Sequence, residues 1–235
     1  MIALFLLAFE SEKFKGISGI FLQEEVENPA LLEGLSYNTL SFSAQATYIP
    51  GVNAFSISYA RKSFGGSIFY CGDSLYRESS LEISYSSSTP ILNYGIKISI
   101  YEVYLKGYSS ILKPGISLGL FTKNIVNIGF YIKNINSLFT PDNTIFSKKI
   151  LEFSFQPADN AFIIGGVENW DEFHYYLYTG YLFYKRTGII VGAKSNPVKW
   201  RTVFGISTKK VSFLCSVDYH PLIGISKAGE VCFTF

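Results

Sequence analysis

The feature that most constrains this chain is an alternation of apolar and polar residues with a period of two, which recurs in short segments from about residue 38 onward. Val126, Ile128 and Phe130, for example, alternate with Asn127 and Gly129. Successive side chains of a β-strand point to opposite faces, so each such segment predicts a strand with one apolar and one polar face. The repetition predicts an all-β, antiparallel fold.

Turn-forming pairs such as Pro50-Gly51 and Pro114-Gly115 separate these segments. Between the turns lie about fourteen candidate strands, with twelve as the alternative if two pairs merge. Two connections, Arg61–Phe64 and Thr208–Val211, are short enough for tight hairpins. The longer stretches 71–80, 134–148 and 219–229 are predicted to be extracellular loops. The candidate strands are 39–48, 53–61, 64–71, 80–87, 93–105, 114–122, 126–134, 149–156, 160–167, 173–184, 187–194, 200–208, 211–219 and 229–235.

Composition favours a membrane-embedded barrel over a soluble sandwich, which would show the same alternation. Charged residues make up 16% of the chain, against about 25% in a soluble domain. The polar faces carry mainly small uncharged residues, and the chain has 21 Phe and 17 Tyr, the kind of residue that forms the girdles of membrane barrels. We therefore expect a transmembrane β-barrel over residues 38–235, with a soluble sandwich or lipocalin-like binding protein as an alternative.

The first 37 residues differ from the rest. Residues 1–9 include an apolar run, Ile2 to Phe9, with the length of a signal-peptide core, so they are predicted to be a signal-peptide remnant. Residues 10–37 include an acidic, helix-compatible stretch and Pro29, which suits a first helical turn. This segment is predicted to be a short helical plug of the barrel, with a periplasmic tail as the open alternative.

Both ends of the chain resemble known outer-membrane proteins. The run Glu27-Asn28-Pro29-Ala30-Leu31-Leu32 is similar to the Asn-Pro-Ala-Gly-Leu motif near the start of FadL-type transporters and PorV/PorQ-type proteins, with Leu31 where those families have Gly. Residues 219–224 look like the segment before the last strand of PorV/PorQ-type proteins, and residues 231–235 resemble the final strand of outer-membrane barrels.

This resemblance implies a fourteen-stranded barrel with an N-terminal hatch, located in the cell outer membrane. It marks Asn28, Pro29 and Ala30 as the family motif. It also marks the C-terminal Phe235 as a signal read by the barrel-assembly machinery. Outer-membrane lipid and that machinery are thus the implied partners, and a hydrophobic small molecule is the implied ligand.

Motifs for chemistry are weak in this sequence. The only histidines are His174 and His220, and a grouping of His220 with Asp218 and a serine on the same strand has poor geometry for a triad. We predict no enzyme activity, no metal site and no cofactor. A net charge of +2 without a basic run argues against nucleic-acid binding. Cys215 and Cys232 are predicted to face opposite sides of the wall and to form no disulfide.

The polar faces of the strands supply the candidate functional residues, which are expected to line the barrel interior. The preferred function is transport or gated passage of small hydrophobic molecules. The alternative is a PorV-like anchor or shuttle for secreted or surface proteins. The residues predicted to face the lumen are Ser41, Gln45, Asn127, Lys133, Glu152, Gln156, Arg201 and Asp218.

Overall fold

The computed structural model describes residues 28–35, 37–108, 110–122, 126–138, 147–158, 160–169, 172–183, 187–195, 198–208 and 210–235. The predicted signal-peptide remnant and most of the predicted plug, residues 10–27, lie outside these residues. Within them, two short 3-10 helices occur, Pro29–Gly34 and Ile135–Leu138. Helices among the described residues are all too short to span a membrane.

Fourteen strands make up the rest of the described fold, as the alternation predicts. Their bounds are β1 Thr39–Ala46, β2 Asn53–Arg61, β3 Phe64–Gly72, β4 Tyr76–Ser88, β5 Leu92–Leu105, β6 Ile111–Thr122, β7 Val126–Lys133, β8 Lys148–Ala158, β9 Ala161–Asn169, β10 Phe173–Phe183, β11 Thr187–Lys194, β12 Lys199–Ser207, β13 Val211–His220 and β14 Gly224–Thr234.

The strands form one closed antiparallel barrel in which each strand pairs with its neighbours in sequence. The first and last strands close it, with Thr39 opposite Thr234, and Asn38 and Phe235 exchange two further backbone hydrogen bonds of 3.1 Å. Closure leaves no free sheet edge. The twelve-strand alternative and the soluble-sandwich alternative are therefore both wrong.

The barrel has two different ends. At the end that carries both Thr39 and Thr234, the connections β2–β3, β4–β5, β6–β7, β8–β9, β10–β11 and β12–β13 have at most three residues each. We call this the turn end. The other end, the loop end, carries the longest connection, residues 134–147. The predicted hairpins Arg61–Phe64 and Thr208–Val211 are confirmed, and both lie at the turn end.

Two of the three predicted loops are wrong. Residues 76–80 belong to β4 and residues 224–229 to β14, so only residues 73–75 and 221–223 connect the strands there. The alternation does not reveal these strand ends, because polar residues occupy both faces there, as with Arg77 and Glu78 on β4. β4 and β5 are the longest strands.

The two faces of the wall differ as the alternation predicts. The outward side chains are mostly large, apolar and exposed, for example Phe42, Ile57 and Ile98. The inward side chains are mostly small and polar, and serines such as Ser41 and Ser117 are almost fully buried. An exposed apolar belt around a closed sheet requires a lipid surrounding, because in water it would expose far more apolar surface than a monomer tolerates.

Candidate functional site

The candidate site is the barrel interior, and the residues predicted to line it all share the parity of the inward face. Asn127, Glu152 and Asp218 are buried, whereas Gln45 and Gln156 are half-buried. Several bond across strands: Gln45 Nε2 donates to Ser226 Oγ at 2.9 Å and Asn127 Nδ2 to Ser154 Oγ at 3.4 Å. The rest of the set, Ser41, Lys133 and Arg201, follows the same inward pattern.

The 3-10 helix Pro29–Gly34 lies inside the barrel against the inner faces of β3 to β6. Asn28 caps it, because its Oδ1 accepts the N–H of Ala30 at 3.1 Å, and Pro29 occupies the first turn, where the missing N–H costs nothing. Ala30 is fully buried. The three motif residues Asn28, Pro29 and Ala30 thus build and seat this helix.

Asn28 also ties the helix to the wall. Its Nδ2 donates to the carbonyl oxygen of Leu120 on β6 at 3.0 Å and to that of Phe130 on β7 at 3.4 Å. Leu120 and Phe130 are opposite each other in the β6–β7 register. One side-chain amide therefore links the inner helix to two neighbouring strands at once.

Three inward-facing glycines make room for the helix. A Cβ at Gly119 would collide with the Asn28 side chain, and one at Gly95 would collide with the backbone of Pro29 and Ala30. At Gly65 it would lie 3.1 Å from Leu32 Cδ2. We call Gly65, Gly95 and Gly119 the glycine track. Any larger residue at Gly95 or Gly119 would displace the helix from the wall.

At the turn end, Glu33 anchors the other side of the helix. Its buried carboxylate accepts hydrogen bonds from Ser63 Oγ, from Ser86 Oγ at 3.4 Å and from Ser88 Oγ at 3.3 Å. Among the described residues, no lysine or arginine pairs with Glu33. These three hydrogen bonds tie this side of the helix to the β2–β3 turn and to β4.

The opposite side of the interior is apolar, which the sequence analysis missed. A cluster on the inward faces of β9 to β14 fills the half nearer the turn end. The sequence does contain a pattern that indicates this cluster, because β9, β10 and β11 carry apolar residues on both faces and so depart from the simple alternation. The cluster consists of Phe162, Ile164, Tyr176, Tyr178, Leu182, Ile190, Val203, Leu214 and Cys232.

Two charged groups lie nearer the loop end, whereas the ion pair between Lys97 Nζ and Glu82 Oε2, 3.0 Å apart, lies near the middle of β4 and β5. Arg201 and Asp218 face each other across β12 and β13 and form two parallel hydrogen bonds, Nε to Oδ1 at 2.6 Å and Nη2 to Oδ2 at 2.7 Å. Glu168 on β9 binds both Lys148 and Lys194. Charges of opposite sign thus pair within the interior.

The two histidines have structural partners. His220 Nδ1 accepts the backbone N–H groups of Leu222 at 3.1 Å and Ile223 at 3.3 Å, which shapes the β13–β14 turn. Because Asp218 holds Arg201, the grouping of His220, Asp218 and a serine does not form. His174 Nδ1 lies 3.4 Å from the carbonyl oxygen of Ser195.

Outside the barrel, an apolar groove of about 350 Å³ crosses β4 to β7 over the glycine track. Its lining includes Gly95 and Gly119, so that only backbone separates the groove from the inner helix there. The β6–β7 ladder beside it is short and aligns Leu118 to Phe121 with Gly129 to Ile132.

Beyond that ladder, side chains replace backbone pairing. Asn136 Nδ2 donates to the carbonyl oxygen of Pro114 at 2.9 Å, and Asn136 Oδ1 accepts the N–H of Ile116 at 3.0 Å. The seam between β6 and β7 is therefore held partly by asparagine side chains, Asn28 on one side and Asn136 farther along.

The cysteine prediction is confirmed. Cys215 is exposed on the outer face, Cys232 is buried on the inner face, and neither forms a disulfide. The register explains this, because Cys232 lies opposite Ser212, and Cys215 lies opposite Gly229.

No protein-family model matches the chain, and no curated protein sequence matches it. Among solved structures, the outer membrane protein Omp33 of Acinetobacter baumannii is similar, with a TM-score of 0.57 and 8% identity over 85% of this chain and 98% of that one. A mutant porin of Rhodopseudomonas blastica is also similar, with a TM-score of 0.52 and 9% identity over 85% and 99% of the two chains.

At such low identity, these likenesses show the fold, a closed barrel of the outer-membrane type. Together with the exposed apolar belt, they support the expected location in a bacterial outer membrane. The finer resemblance to FadL-type and PorV/PorQ-type proteins remains a prediction from the two ends of the sequence.

Proposed function

We propose that this protein is an outer-membrane barrel for the gated passage of small molecules, with the 3-10 helix Pro29–Gly34 as the gate. By the usual arrangement of short periplasmic turns and longer external loops, the turn end faces the periplasm. The gate then lies on the periplasmic side of the interior, and the ion pairs of Arg201 with Asp218 and of Glu168 with its two lysines lie on the extracellular side.

The observation that carries this proposal is the way in which the helix is attached. It is seated on glycines, contacts one side of the wall and is tied to it by side-chain hydrogen bonds of Asn28 and Glu33. The contacts of the helix lie mainly on β3 to β6, so its release from the wall would break no pairing of the closed ring of strands.

Hydrophobic molecules are the passengers that the outer groove favours. The groove over the glycine track is apolar, the β6–β7 ladder beside it is short, and the inner cluster on β9 to β14 offers apolar surface within the barrel. A hydrophobic molecule would therefore find apolar contacts outside the wall at β4 to β7 and, across the interior, on β9 to β14.

The second candidate function is that of an anchor for secreted proteins. The long strands β4 and β5 support it, because apolar side chains, including Leu75, Leu105 and Tyr108, are exposed at their loop end. Crosslinking of intact cells followed by purification would decide between the two: a stoichiometric secreted partner and no permeability would favour the anchor.

The test of gated passage is conductance in planar bilayers. We expect Gly119→Ala to raise the open probability, because the new Cβ displaces Asn28 from the wall. The matched control is Gly229→Ala on β14, where a Cβ would meet only the carbonyl oxygen of Leu214 at 3.9 Å. Absence of conductance in the native protein and in Gly119→Ala, with both barrels folded, would overturn the proposal.

A further inference from the structure

The apolar groove on the outer face of β4 to β7 lies between two neighbouring rows of outward side chains. Each row takes one residue from each of the four strands, and the inward-facing Gly95 and Gly119 lie between the rows. The groove therefore runs across the strands for about 14 Å, since neighbouring strands are ~4.8 Å apart. The first row consists of Ser87, Tyr94, Leu120 and Phe130, and the second of Tyr85, Ile96, Leu118 and Ile132.

The second row slopes toward the turn end of the barrel. It continues past Tyr85 to Phe64 on β3 and then to Arg61 on β2, because these residues are opposite one another in the register. Arg61 is the last residue of β2 at the turn end, whereas Ile132, at the other end of the row, is next to the last residue of β7 at the loop end. A molecule that lies along the groove would therefore have one end near the turn-end interface and the other end farther into the apolar belt.

The surroundings of the groove determine what fills it. Tyr85 and Ile96 are 57% and 40% exposed, and they continue the apolar belt, whose surrounding is lipid. The lining of the groove carries no charged side chain, and its polar groups are the hydroxyls of Ser87 and of two tyrosines. A narrow apolar groove that is open to lipid is filled best by a linear hydrocarbon chain, because such a chain contacts both rows along its length.

Two cations lie at the turn-end limit of the second row. Arg61 is exposed and faces outward, with its Cζ 5.6 Å from the centre of the Phe64 ring, and Lys62, which follows it in the β2–β3 turn, is also exposed. Within the described part of the chain, no carboxylate binds either side chain, and Glu33 lies inside the wall on serine hydroxyls. The planar guanidinium of an arginine matches the geometry of a phosphate.

We propose that the groove is a binding site for one phospholipid of the leaflet at the turn end, with an acyl chain between the two rows and the phosphate at Arg61. The apolar and cationic parts of the site follow each other in the order in which a lipid presents its chain and its headgroup. The inference goes beyond the proposed function and does not require passage. A passenger that crosses the wall at the β6–β7 seam would first displace this lipid.

The acyl-chain part is tested by native mass spectrometry of the detergent-solubilised barrel after incubation with phosphatidylglycerol. We expect the native protein to retain one lipid. Ile96→Trp and Leu118→Trp each fill the groove and should weaken retention by about tenfold or more, because the displaced chain loses its contacts. The matched control is Ile206→Trp, an outward residue of β12 far from the groove, which should retain the lipid.

The headgroup part is tested by competition between phosphatidylglycerol, a diacylglycerol with the same chains and the corresponding free fatty acid. We expect the native barrel to retain the phospholipid several-fold better than the other two, and Arg61→Gln with Lys62→Gln to lose this preference. Lys149→Gln with Lys227→Gln removes the same charge from outward residues elsewhere and should keep it. Migration on gels before and after boiling verifies that each variant is folded.

Absence of retained phospholipid on the native barrel, or equal loss in the groove variants and in Ile206→Trp, would overturn the site. Preferential retention of the free fatty acid, or equal loss of preference in both double variants, would also overturn it. Retention of the phospholipid by a barrel without conductance would support the site and reject gated passage, so the two proposals can fail separately.

Discussion

At the scale of single residues, Asn28 explains more of this structure than any other side chain. The sequence marked Asn28 and Ala30 only through a resemblance, whereas Pro29 was also predicted for a first helical turn. In the structure, Asn28 begins a helix with its oxygen and joins two strands with its nitrogen. Sequence periodicity cannot reveal such a role, since the partners Leu120 and Phe130 contribute backbone carbonyls that any residue would offer.

Substitutions of Asn28 can separate these two roles. Asn28→Ala removes both the cap and the ties and should destabilise the seating of the helix by about 1–3 kcal/mol. Asn28→Asp keeps the oxygen that caps the helix but loses the N–H donor, so only the hydrogen bonds to β6 and β7 should be lost. Hydrogen exchange at the Ala30 and Leu31 amides measures the difference. Equal exchange in all three proteins would contradict the assignment.

The β3–β4 turn supplies a prediction for pH. Asp73 Oδ1 accepts the N–H groups of Tyr76 at 2.9 Å and Leu75 at 2.7 Å, and these bonds hold the pKa of Asp73 below its usual value of 3.8. A lowered pKa in the folded state means that the stabilisation is present above pH 3.8 and disappears as pH falls through the lower folded value.

We therefore expect the amides of Leu75 and Tyr76 to lose protection from hydrogen exchange in acid below pH 3.8. Asp73→Asn keeps an acceptor that does not titrate, so its turn should exchange independently of pH once the intrinsic rate is corrected. A native turn with no loss of protection in acid would show that Asp73 does not hold it.

At the scale of elements, the sequence predicted the number and order of strands because a period of two survives wherever one face meets lipid. It failed where that contrast is lost. The outer halves of β4 and β14 leave the apolar belt, so polar residues such as Glu78 and Lys227 occur on either face. The inner apolar cluster of β9 to β11 was missed for the opposite reason, since both faces there are apolar.

The β6–β7 seam offers a prediction for hydrophobic passengers. A disulfide between Leu120→Cys and Phe130→Cys, which are opposite each other, should lock the seam. If these molecules cross the wall there, the oxidised variant should lose uptake of a fluorescent fatty acid and regain it on reduction. Uptake that is unaffected by oxidation would place the route elsewhere.

The native chain provides a matched control for this engineered disulfide. Phe204 lies opposite Cys215 on the outer faces of β12 and β13, so the single substitution Phe204→Cys creates a disulfide far from the groove. We expect uptake to survive that bridge. Loss of uptake in both disulfide variants would indicate a general effect of crosslinking on the barrel.

At the scale of the whole molecule, the barrel is a belt of lipid-facing side chains around an interior that is largely polar and carries one apolar cluster on β9 to β14. We expect the protein to fractionate with outer membranes and to migrate differently on gels before and after boiling, because a closed barrel resists detergent until it is heated. Recovery in the soluble fraction without detergent would contradict a membrane location. The interior could not be predicted in this detail, because alternation reports which residues face inward but not which of them meet across the barrel.

Closure of the barrel by β1 and β14 has a consequence for the order of events during biogenesis. The two strands are separated by almost the entire described chain, and contacts between such distant segments form slowly because the loop entropy must be overcome first. Until β14 pairs with it, one edge of β1 keeps open hydrogen-bonding groups, a state that favours association with other chains. Pairing of β14, the last strand, which has 11 residues, therefore converts an aggregation-prone intermediate into the closed barrel. The lifetime of that intermediate, more than the stability of the finished barrel, should limit the yield of folded protein.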